Sequence, residues 1–387
     1  MLTSHSQAVK AAPFATAMIL ILAGCKGGAI NDNSLPATSS YPGAPAWMAS
    51  DKNSPQLLYV PTAAIPPGSI FEFNLSGTRL RTIKKGISYV EGAAIDGLGT
   101  LYVLNYKFSR SVTEYALGTT KPLRTVTRGI STEPINMGVD EAGNLWVLDF
   151  DGPLVRFKAG TVDPEFATYT GLCAGGLGSN TGPQVLTVDT FGTAYVGVNC
   201  GTYSKPLHAL IREYDSSHKV ARTITIPSNE TPSRIKTDSA GRLYVSFSDS
   251  SDKGRVGIAE YNRGATKPFL TFYVTPATDY SYGFFAFDSS NNVYFSVGEC
   301  IGFSSSLSCA SFISEYQNGT SQLLRTIKAP SQVLLNGVAI DRLNNIYVQE
   351  FPVSDKKSTR IEIYPPKSNH GKVFTSGQRL GIPLIYP

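Results

Sequence analysis

Residues 96–103 read DGLGTLYV, and this eight-residue phrase recurs five more times along the chain. The further copies are DEAGNLWV from Asp140, DTFGTAYV from Asp189, DSAGRLYV from Asp238, DSSNNVYF from Asp288 and DRLNNIYV from Asp341. Successive copies begin 44, 49, 49, 50 and 53 residues apart. A period of this length, filled with short apolar segments, is typical of a radial array of β-sheets.

Each copy has the composition of a tight turn between two strands. Asp favours the first position of a type I turn, and Gly three residues later accepts a positive φ. Asn291 and Asn344 replace that Gly in the last two copies, and Asn tolerates this conformation better than most residues. Apolar residues flank the turn on both sides, so the phrase predicts a β-hairpin.

Two further strand signals recur in most units. One ends in a Glu-aromatic pair, at Glu72, Glu114, Glu213, Glu260 and Glu315. The other is a short Arg-Thr-Ile or Arg-Thr-Val segment, beginning at Arg81, Arg124, Arg222 and Arg325. The unit therefore has four strands, as in a propeller blade: A ends at the Asp, B follows the turn, C carries the Glu and D the Arg. We expect the Glu-aromatic pairs to serve blade packing, with Glu facing solvent or a neighbouring blade.

The two ends of the chain supply the parts of one more blade. Segments 58–60, 70–73 and 80–83 resemble strands B, C and D without a preceding A strand, and the apolar segment 380–386 has no partners after it. If the last segment supplies the missing A strand, the ring closes and no sheet edge stays exposed. The sequence thus predicts an all-β fold, a single propeller of seven four-stranded blades over 53–387; six blades with decorated ends is the alternative.

Composition excludes some classes of protein. Of the 387 residues, 42% are apolar, 11% aromatic and 16% charged, which fits a β-rich globular chain and not a disordered one. The net charge of +5 comes without a run of Lys and Arg, so there is no electrostatic case for a nucleic-acid partner. We expect a monomer.

The N-terminus has the form of a targeting segment. Lys10 precedes an apolar stretch over 11–22, and Leu22-Ala23-Gly24-Cys25 follows. This resembles the lipobox of bacterial lipoproteins, which implies a signal peptide over 1–24 and a lipid on Cys25. An ordinary secretory signal, cut elsewhere, is the alternative.

The next segment, 25–52, is rich in Gly, Pro, Ser, Asn and Ala and is predicted to be a flexible tether. A coil of this length reaches about 30 Å. The lipobox resemblance places the protein on a membrane of the bacterial cell envelope, facing an extracytoplasmic compartment. Lys26 after the Cys favours the outer membrane if there are two.

Four cysteines remain besides Cys25, and export to an oxidising compartment makes two disulfides plausible. Because B–C and D–A connections share one face of a propeller, Cys173 is predicted to pair with Cys200 and Cys300 with Cys309. Free thiols are the alternative.

The two faces of the ring differ in their connections. One face carries the tight A–B turns, and the other carries long excursions over 171–184, 197–208, 246–256, 296–311 and 349–359. Variable loops on a rigid scaffold are where binding usually resides, so the loop-rich face over the central channel is the predicted site. Carboxylates of its loops are expected to be solvated or to bind a cation or a basic partner: Asp149, Asp151, Asp249, Asp252, Glu299, Glu350 and Asp355.

One residue in each unit, five before the turn Asp, is predicted to ring the channel mouth: Glu91, Ile135, Gln184, Ser233, Gly283 and Asn336. The text around Glu91 (EGAAID) and Asn336 (NGVAID) resembles gluconolactonase and senescence-marker-type lactonases. The resemblance implies a divalent cation, such as Ca²⁺, on Glu91 and Asn336. Asn136 is one place out of register and no Asp occupies the ring, so the alternative is that Glu91 is a polar channel-mouth residue without a cofactor.

The repeat as a whole resembles NHL and YVTN-type propeller repeats, and also the streptogramin B lyases. The lyase resemblance implies paired histidines, but only His208 is predicted on the loop-rich face, with His218 and His370 on the other. The leading hypothesis is therefore a surface-anchored binding module for a protein, peptide or glycan. The alternative is a metal-dependent lactonase or a lyase.

Overall fold

In the computed structural model of the protein, each copy of the repeated phrase joins two antiparallel strands. The structure describes residues 56–62, 68–106, 109–131, 133–150, 153–169, 183–202, 205–227, 230–249, 255–275, 281–301, 308–352, 358–378 and 380–386. Within these ranges 28 strands form seven four-stranded antiparallel sheets. The described ranges hold no helix with the length and apolarity needed to cross a bilayer.

Each sheet is one blade, and its strands follow the predicted order A to D. Blade I has β4 (Val90–Ile95), β5 (Leu101–Asn105), β6 (Ser111–Tyr115) and β7 (Arg124–Val126). Blade II has β8 (Pro134–Val139), β9 (Leu145–Asp149), β10 (Pro153–Phe157) and β11 (Phe166–Tyr169). Blade III has β12 (Pro183–Val188), β13 (Ala194–Thr202), β14 (Lys205–Tyr214) and β15 (Val220–Ile226).

The remaining blades repeat this order. Blade IV has β16 (Glu230–Thr237), β17 (Leu243–Asp249), β18 (Arg255–Tyr261) and β19 (Leu270–Thr275). Blade V has β20 (Ser281–Phe287), β21 (Val293–Ile301), β22 (Ser308–Tyr316) and β23 (Leu323–Lys328). Blade VI has β24 (Val333–Ile340), β25 (Ile346–Pro352), β26 (Ser358–Tyr364) and β27 (Lys372–Gln378). Blade VII has β28 (Leu384–Tyr386), β1 (Leu57–Pro61), β2 (Ile70–Asn74) and β3 (Arg79–Ile83).

The predicted ring closure is confirmed. Leu57 pairs with Tyr386 and Tyr59 with Leu384, so the first and last strands share blade VII. The A strands of neighbouring blades contact one another all the way round, including β24 with β28 and β28 with β4. The ring therefore has seven blades, and the six-blade alternative is wrong. The closing strand is shorter than predicted because Leu380 makes only an isolated bridge with Thr62 and Pro383, lacking an N–H, precedes the strand.

The turn Asp does more than start a turn. Asp96 is buried, and its Oδ1 accepts hydrogen bonds from the backbone N–H groups of Leu98 and Thr100 at 2.9 and 2.8 Å. The Tyr102 hydroxyl lies 3.0 Å from Asp96 Oδ2 and 3.3 Å from the Gly143 carbonyl oxygen of the next blade. Four other blades repeat the Tyr–Asp contact, with Tyr195, Tyr244, Tyr294 and Tyr347. In blade I the phrase therefore joins adjacent blades as well as adjacent strands.

Of the two surroundings expected for the Glu of strand C, solvent or a neighbouring blade, solvent is wrong. Glu114 is buried and forms an ion pair with Arg124 of strand D, with 2.7 Å between Oε2 and Nε. The same pairing joins Glu72 with Arg81, Glu213 with Arg222 and Glu315 with Arg325. The Arg-Thr segment recurs because its Arg lies directly opposite the Glu in the sheet register, where the burial of the carboxylate requires a partner.

Three blades depart from this pairing. In blade VI, Val373 lies opposite Glu362, and the Glu362 carboxylate pairs with Arg360 of its own strand at 3.2 Å. Blade II carries it with the charges exchanged, since Arg156 of strand C contacts Glu165 at 2.8 Å. Blade IV lacks the Arg, because Leu270 lies opposite Glu260. Both Glu260 carboxylate oxygens are buried without a hydrogen-bond partner among the described residues. Burial, in an environment that also contains the negative charge of Asp238, raises the pKa of Glu260 to about 7, although the positive charge of Arg242 opposes that rise.

Candidate functional site

The two faces are defined by connectivity. The turn face bears the A–B and C–D connections, and the loop face bears the B–C and D–A connections. Every long excursion named from the sequence belongs to the loop face. Residues 170–182, 203–204, 250–254, 302–307 and 353–357 of these excursions lie outside the described residues.

Much of what the sequence assigned to loops is strand. The B strands of blades VII, I and II are five residues long. Those of blades III and V have nine residues, and those of blades IV and VI have seven. In blades I to VI the B strand begins five residues after the turn Asp, so the extra residues lie at the loop-face end. At about 3.3 Å per residue they lengthen the hairpins by about 13 Å or about 7 Å.

The long B strands occupy consecutive blades, III to VI, and the shortest B–C hairpins, over 101–115 and 145–157, belong to blades I and II. We call the first group the wall and the loop-face ends of blades I and II the floor. The sequence did not predict this asymmetry. The only sequence signal for it was the number of residues between each turn Asp and the Glu-aromatic pair of the following strand C.

The predicted channel-mouth residues coincide with backbone irregularities. The sheet register shifts between Val90 and Gly92, and again at the matching position of blades II, III and IV. The shifted residues are Glu91, Ile135, Gln184 and Ser233. Blade VI shifts one residue later, at Gly337, and the A strand of blade V is regular. A β-bulge re-aims one side chain and often occurs next to binding sites.

The floor holds a group of carboxylates and aromatic rings. Glu91 is 2% exposed and lies in β4. Burial raises the pKa of Tyr106, and the negative charges of Glu133 and Glu91 raise it further. The rings of Tyr106 and Tyr89 meet edge to face with 6.0 Å between centroids, and the Tyr106 N–H donates to the Tyr89 carbonyl oxygen at 2.9 Å.

The backbone around this group is fixed by Asn105, the last residue of β5. Its Oδ1 accepts from the Ser88 N–H at 2.9 Å, and its Nδ2 donates to the Gly86 carbonyl oxygen at 3.2 Å and the Thr113 hydroxyl at 3.1 Å. Asn105 is fully buried. The connection that carries Tyr89 and leads to Glu91 is thus held against the B–C end of blade I. Sequence reasoning found Glu91 but missed Asn105, Tyr89, Tyr106 and Glu133.

Glu91 and Asn336 lie on the A strands of blades I and VI, with blade VII between them. Asn336 is opposite Gln349 in the register, and Gln349 donates a hydrogen bond to the Leu380 carbonyl oxygen of the closing segment. Within the described ranges no three His, Cys, Asp or Glu side chains group closely enough to hold a metal ion. Asn136 follows the bulge residue of blade II and is buried.

Three loop carboxylates expected to be solvated are buried instead. Asp149 accepts a hydrogen bond from the Ser131 N–H at 3.1 Å, and Glu350 pairs with Arg360 at 2.5 Å. Asp249 accepts from the Tyr273 hydroxyl at 3.1 Å. Each carboxylate thus has at least one partner at the root of its hairpin, although Asp149 Oδ1 is buried without a hydrogen bond among the described residues. Asp151, Asp252, Asp355 and the Glu299 side chain lie outside the described residues.

The root of the wall in blade IV also concentrates charge. Asp249 lies opposite Glu230 in the register, and burial together with the charge of Asp249 raises the pKa of Glu230 to about 7. The Arg255 guanidinium lies over the Tyr273 ring, 3.9 Å from its centroid.

The predicted cysteine and histidine sites are placed in part. Cys25 and Cys173 lie outside the described residues, and the side chains of the other three cysteines are likewise not described. The strand register sets Cys300 directly opposite Cys309 and Cys200 opposite His208. His218 lies in a C–D turn as predicted, with its Nε2 3.0 Å from Arg156 Nη1.

Comparison with known proteins supports the fold and leaves the function open. No protein-family model and no curated protein matches the sequence. Among 949 solved chains with a similar fold is the dihydro-heme d1 dehydrogenase NirN in complex with DHE. It superposes with a TM-score of 0.52 at 12% identity, over 84% of this chain and 74% of that one. At this identity the similarity shows a β-propeller, a class that serves many unrelated activities.

Proposed function

We propose that this propeller is a binding module, lipid-anchored through Cys25 on the bacterial cell envelope, that takes a protein, peptide or glycan ligand on its loop face. The observation that carries the proposal is the asymmetric loop face. Four consecutive blades have B strands of seven or nine residues beside two blades whose B–C hairpins are short, so the described residues form a floor bounded by a wall. A concave surface of this kind on a rigid scaffold is suited to ligand binding.

The chemistry of the floor favours a ligand with hydroxyl or cationic groups. The partly exposed carboxylate of Glu133 accepts hydrogen bonds from such donors, and the buried carboxylate of Glu91 adds its negative charge. The rings of Tyr89 and Tyr106 offer faces for stacking on a sugar or for a cation–π contact with Lys or Arg. Asn105 holds the backbone that presents Tyr89, so little of the site has to be ordered on binding.

The test is binding of the purified protein to a glycan array and a peptide array. We expect selected spots to retain the wild-type chain, and to lose it in Tyr106→Ala and Glu91→Gln. Lys367→Ala, on the turn face, is the matched control and should bind as wild type. Equal binding by all four proteins would place the ligand elsewhere and contradict the proposal.

A second candidate is a divalent-metal-dependent lactonase, with Glu91 and Asn336 as calcium ligands, or a lyase of the streptogramin type. It is favoured by the burial of the Glu91 carboxylate at a bulge beside the channel, because Ca²⁺ prefers carboxylate and amide oxygens. Calorimetric titration with CaCl₂ separates the two candidates. Tight calcium binding by the wild type that is lost in Glu91→Gln would support the enzyme. No calcium binding by the wild type would support the binding module.

A further inference from the structure

The chain enters and leaves the propeller at the turn face. B strands run from the turn face to the loop face, so β1 begins at the turn face with Leu57. Its partner Tyr386 ends β28 at the same face. Residues 1–56, which include the apolar stretch over 11–22 and Cys25, are therefore attached to the face opposite the floor.

Exposed apolar side chains concentrate at the turn face. Among the described residues thirteen large apolar side chains are exposed. Seven of them lie in A–B or C–D connections: Leu98, Leu117, Leu123, Val162, Phe191, Phe269 and Leu343. Five more are within the first two residues of an outer D strand: Leu80, Val220, Leu323, Leu324 and Val373. Scattered exposed apolar residues need no explanation, but a concentration at one end of a molecule marks an interaction surface.

Three of these side chains are held outward by the turns themselves. Leu98, Phe191 and Leu343 occupy the same position, two residues after the turn Asp, and are 80%, 52% and 69% exposed. Each backbone N–H donates to its buried Asp at 2.9 Å. That bond fixes the backbone of the turn, and the Phe191 ring, although partly exposed, is covered on one face by the Arg263 guanidinium, 3.8 Å from its centroid. We call these three residues the apolar tips.

Charge contributes little to the same surface. The A–B and C–D connections carry exposed or partly exposed cations, such as Lys121, Lys267 and Lys367. The buried turn aspartates lie beneath them and offset their field. A contact made by this face must therefore depend on apolar burial more than on attraction to an anionic partner.

We propose that the turn face rests on the lipid bilayer, with the apolar tips inserted at the level of the headgroups. The inference rests on the proposed anchor at Cys25, since a lipid on that residue brings the membrane to the side at which β1 begins. The predicted tether reaches about 30 Å, which is enough for the propeller to settle on the surface. Apolar side chains inserted into the boundary between headgroups and acyl chains add to the membrane binding of a lipid anchor and orient the protein on the surface. The floor then faces away from the membrane, toward ligands.

The test is quenching of tryptophan emission by brominated phosphatidylcholine, on the lipidated full-length protein in vesicles. Phe191→Trp is made with Trp47→Phe, which removes the emission of the tether, while buried Trp146 provides a constant background. Tyr273→Trp in the same background reports from the root of the wall. We expect the emission added by Phe191→Trp to fall at least twofold in brominated lipid and that added by Tyr273→Trp to stay unchanged.

Leu98→Ser with Leu343→Ser should reverse most of the quenching, whereas the control Ala142→Ser with Ala240→Ser, at the same turn position in other blades, should not. Sodium chloride at high concentration should leave the quenching intact. Absence of quenching at Phe191→Trp, or quenching at Tyr273→Trp instead, would overturn the proposal. An emission change that depends on the protein density on the vesicles and is the same with and without bromine would indicate that the turn face contacts a second copy of the chain. That result would also overturn the proposal.

The outcome is separable from that of the proposed function. Mass spectrometry of the N-terminal peptide reports whether Cys25 carries a lipid. If it does not, the proposed lipid anchor is wrong. The same quenching experiment on the unlipidated chain, at rising lipid concentration, then still shows whether the turn face contacts the bilayer. Array binding through the floor is independent of either result.

Discussion

Glu260 offers the sharpest test of how the blades are held together. Its carboxylate is fully buried and lies opposite Leu270, where four other blades place an Arg. Burial raises the pKa of Glu260 from the usual 4.5 to about 7. The unfolded chain thus loses this proton near pH 4.5 and the folded protein only near pH 7. The folded state binds more protons between these values, so its stability falls as the pH rises through that window.

Each pH unit contributes about 1.4 kcal/mol, so the loss is about 3 kcal/mol and is complete above pH 7. Glu260→Gln keeps the shape and removes the charge. We expect it to raise the free energy of unfolding by about 3 kcal/mol at pH 8 and to change it little at pH 4.5. Leu270→Arg, which restores the partner found in the other blades, should also stabilise the protein at pH 8.

The matched control is Glu114→Gln, because Glu114 is equally buried but pairs with Arg124 at 2.7 Å. Breaking that pair leaves the largely buried guanidinium of Arg124 without its anion and should cost about 3 kcal/mol. Urea unfolding of the three variants and the wild type at pH 4.5 and pH 8 provides the comparison. A Glu260→Gln variant that is less stable than wild type at pH 8, or equally stabilised at both pH values, would refute the reasoning.

Three further predictions concern single positions. Burial lowers the pKa of Lys236 to about 7 in the folded protein, whereas the unfolded chain holds this proton up to about pH 10.4. The unfolded state therefore binds more protons between these values, and the stability should rise with pH from 7 to 9. Lys236→Met should abolish that rise in urea unfolding, and its persistence would contradict the assignment. Tyr102→Phe removes the 3.0 Å hydrogen bond to Asp96 and should lower the free energy of unfolding by about 1–3 kcal/mol. Tyr195→Phe removes a longer hydrogen bond to Asp189, of 3.4 Å, and should lower it less. The reverse order would count against the role of Tyr102 in joining blades I and II. Because Cys300 lies opposite Cys309, a non-reducing peptide map should show them linked by a disulfide, and alkylation of both thiols without reduction would exclude it.

The architecture could be predicted because the repeat marks equivalent positions. The Asp-Gly and Asp-Asn turns located each A–B hairpin, and the unmatched segments 58–60 and 380–386 indicated the shared blade. A repeat does not say which side of a sheet each position faces. The burial of Glu114 therefore escaped prediction, although an Arg follows the Glu nine or ten residues later in four units. Arg124 could be recognised as the partner of Glu114 only from the pairing of strands C and D in the structure.

The functional surface was predicted in position more than in shape. Segments 197–208 and 296–311 combine Gly, Ser, Cys and aliphatic residues without regular alternation, so their extension into long hairpins had no clear pattern. Glu91 was found through its place before the turn Asp. Tyr106 and Glu133 were missed because they approach Glu91 from a B–C and a D–A connection, and no local spacing relates connections that meet only in the folded ring.

The central claim is that ligand binds on the floor over blades I and II. Hydrogen–deuterium exchange of the full chain, with and without the strongest ligand from the arrays, tests it most directly. We predict added protection in the peptides spanning 84–91 and 105–111, with little change in the turn-face peptides spanning 116–123 and 365–371. Protection confined to the turn-face peptides, with the floor unchanged, would contradict the claim.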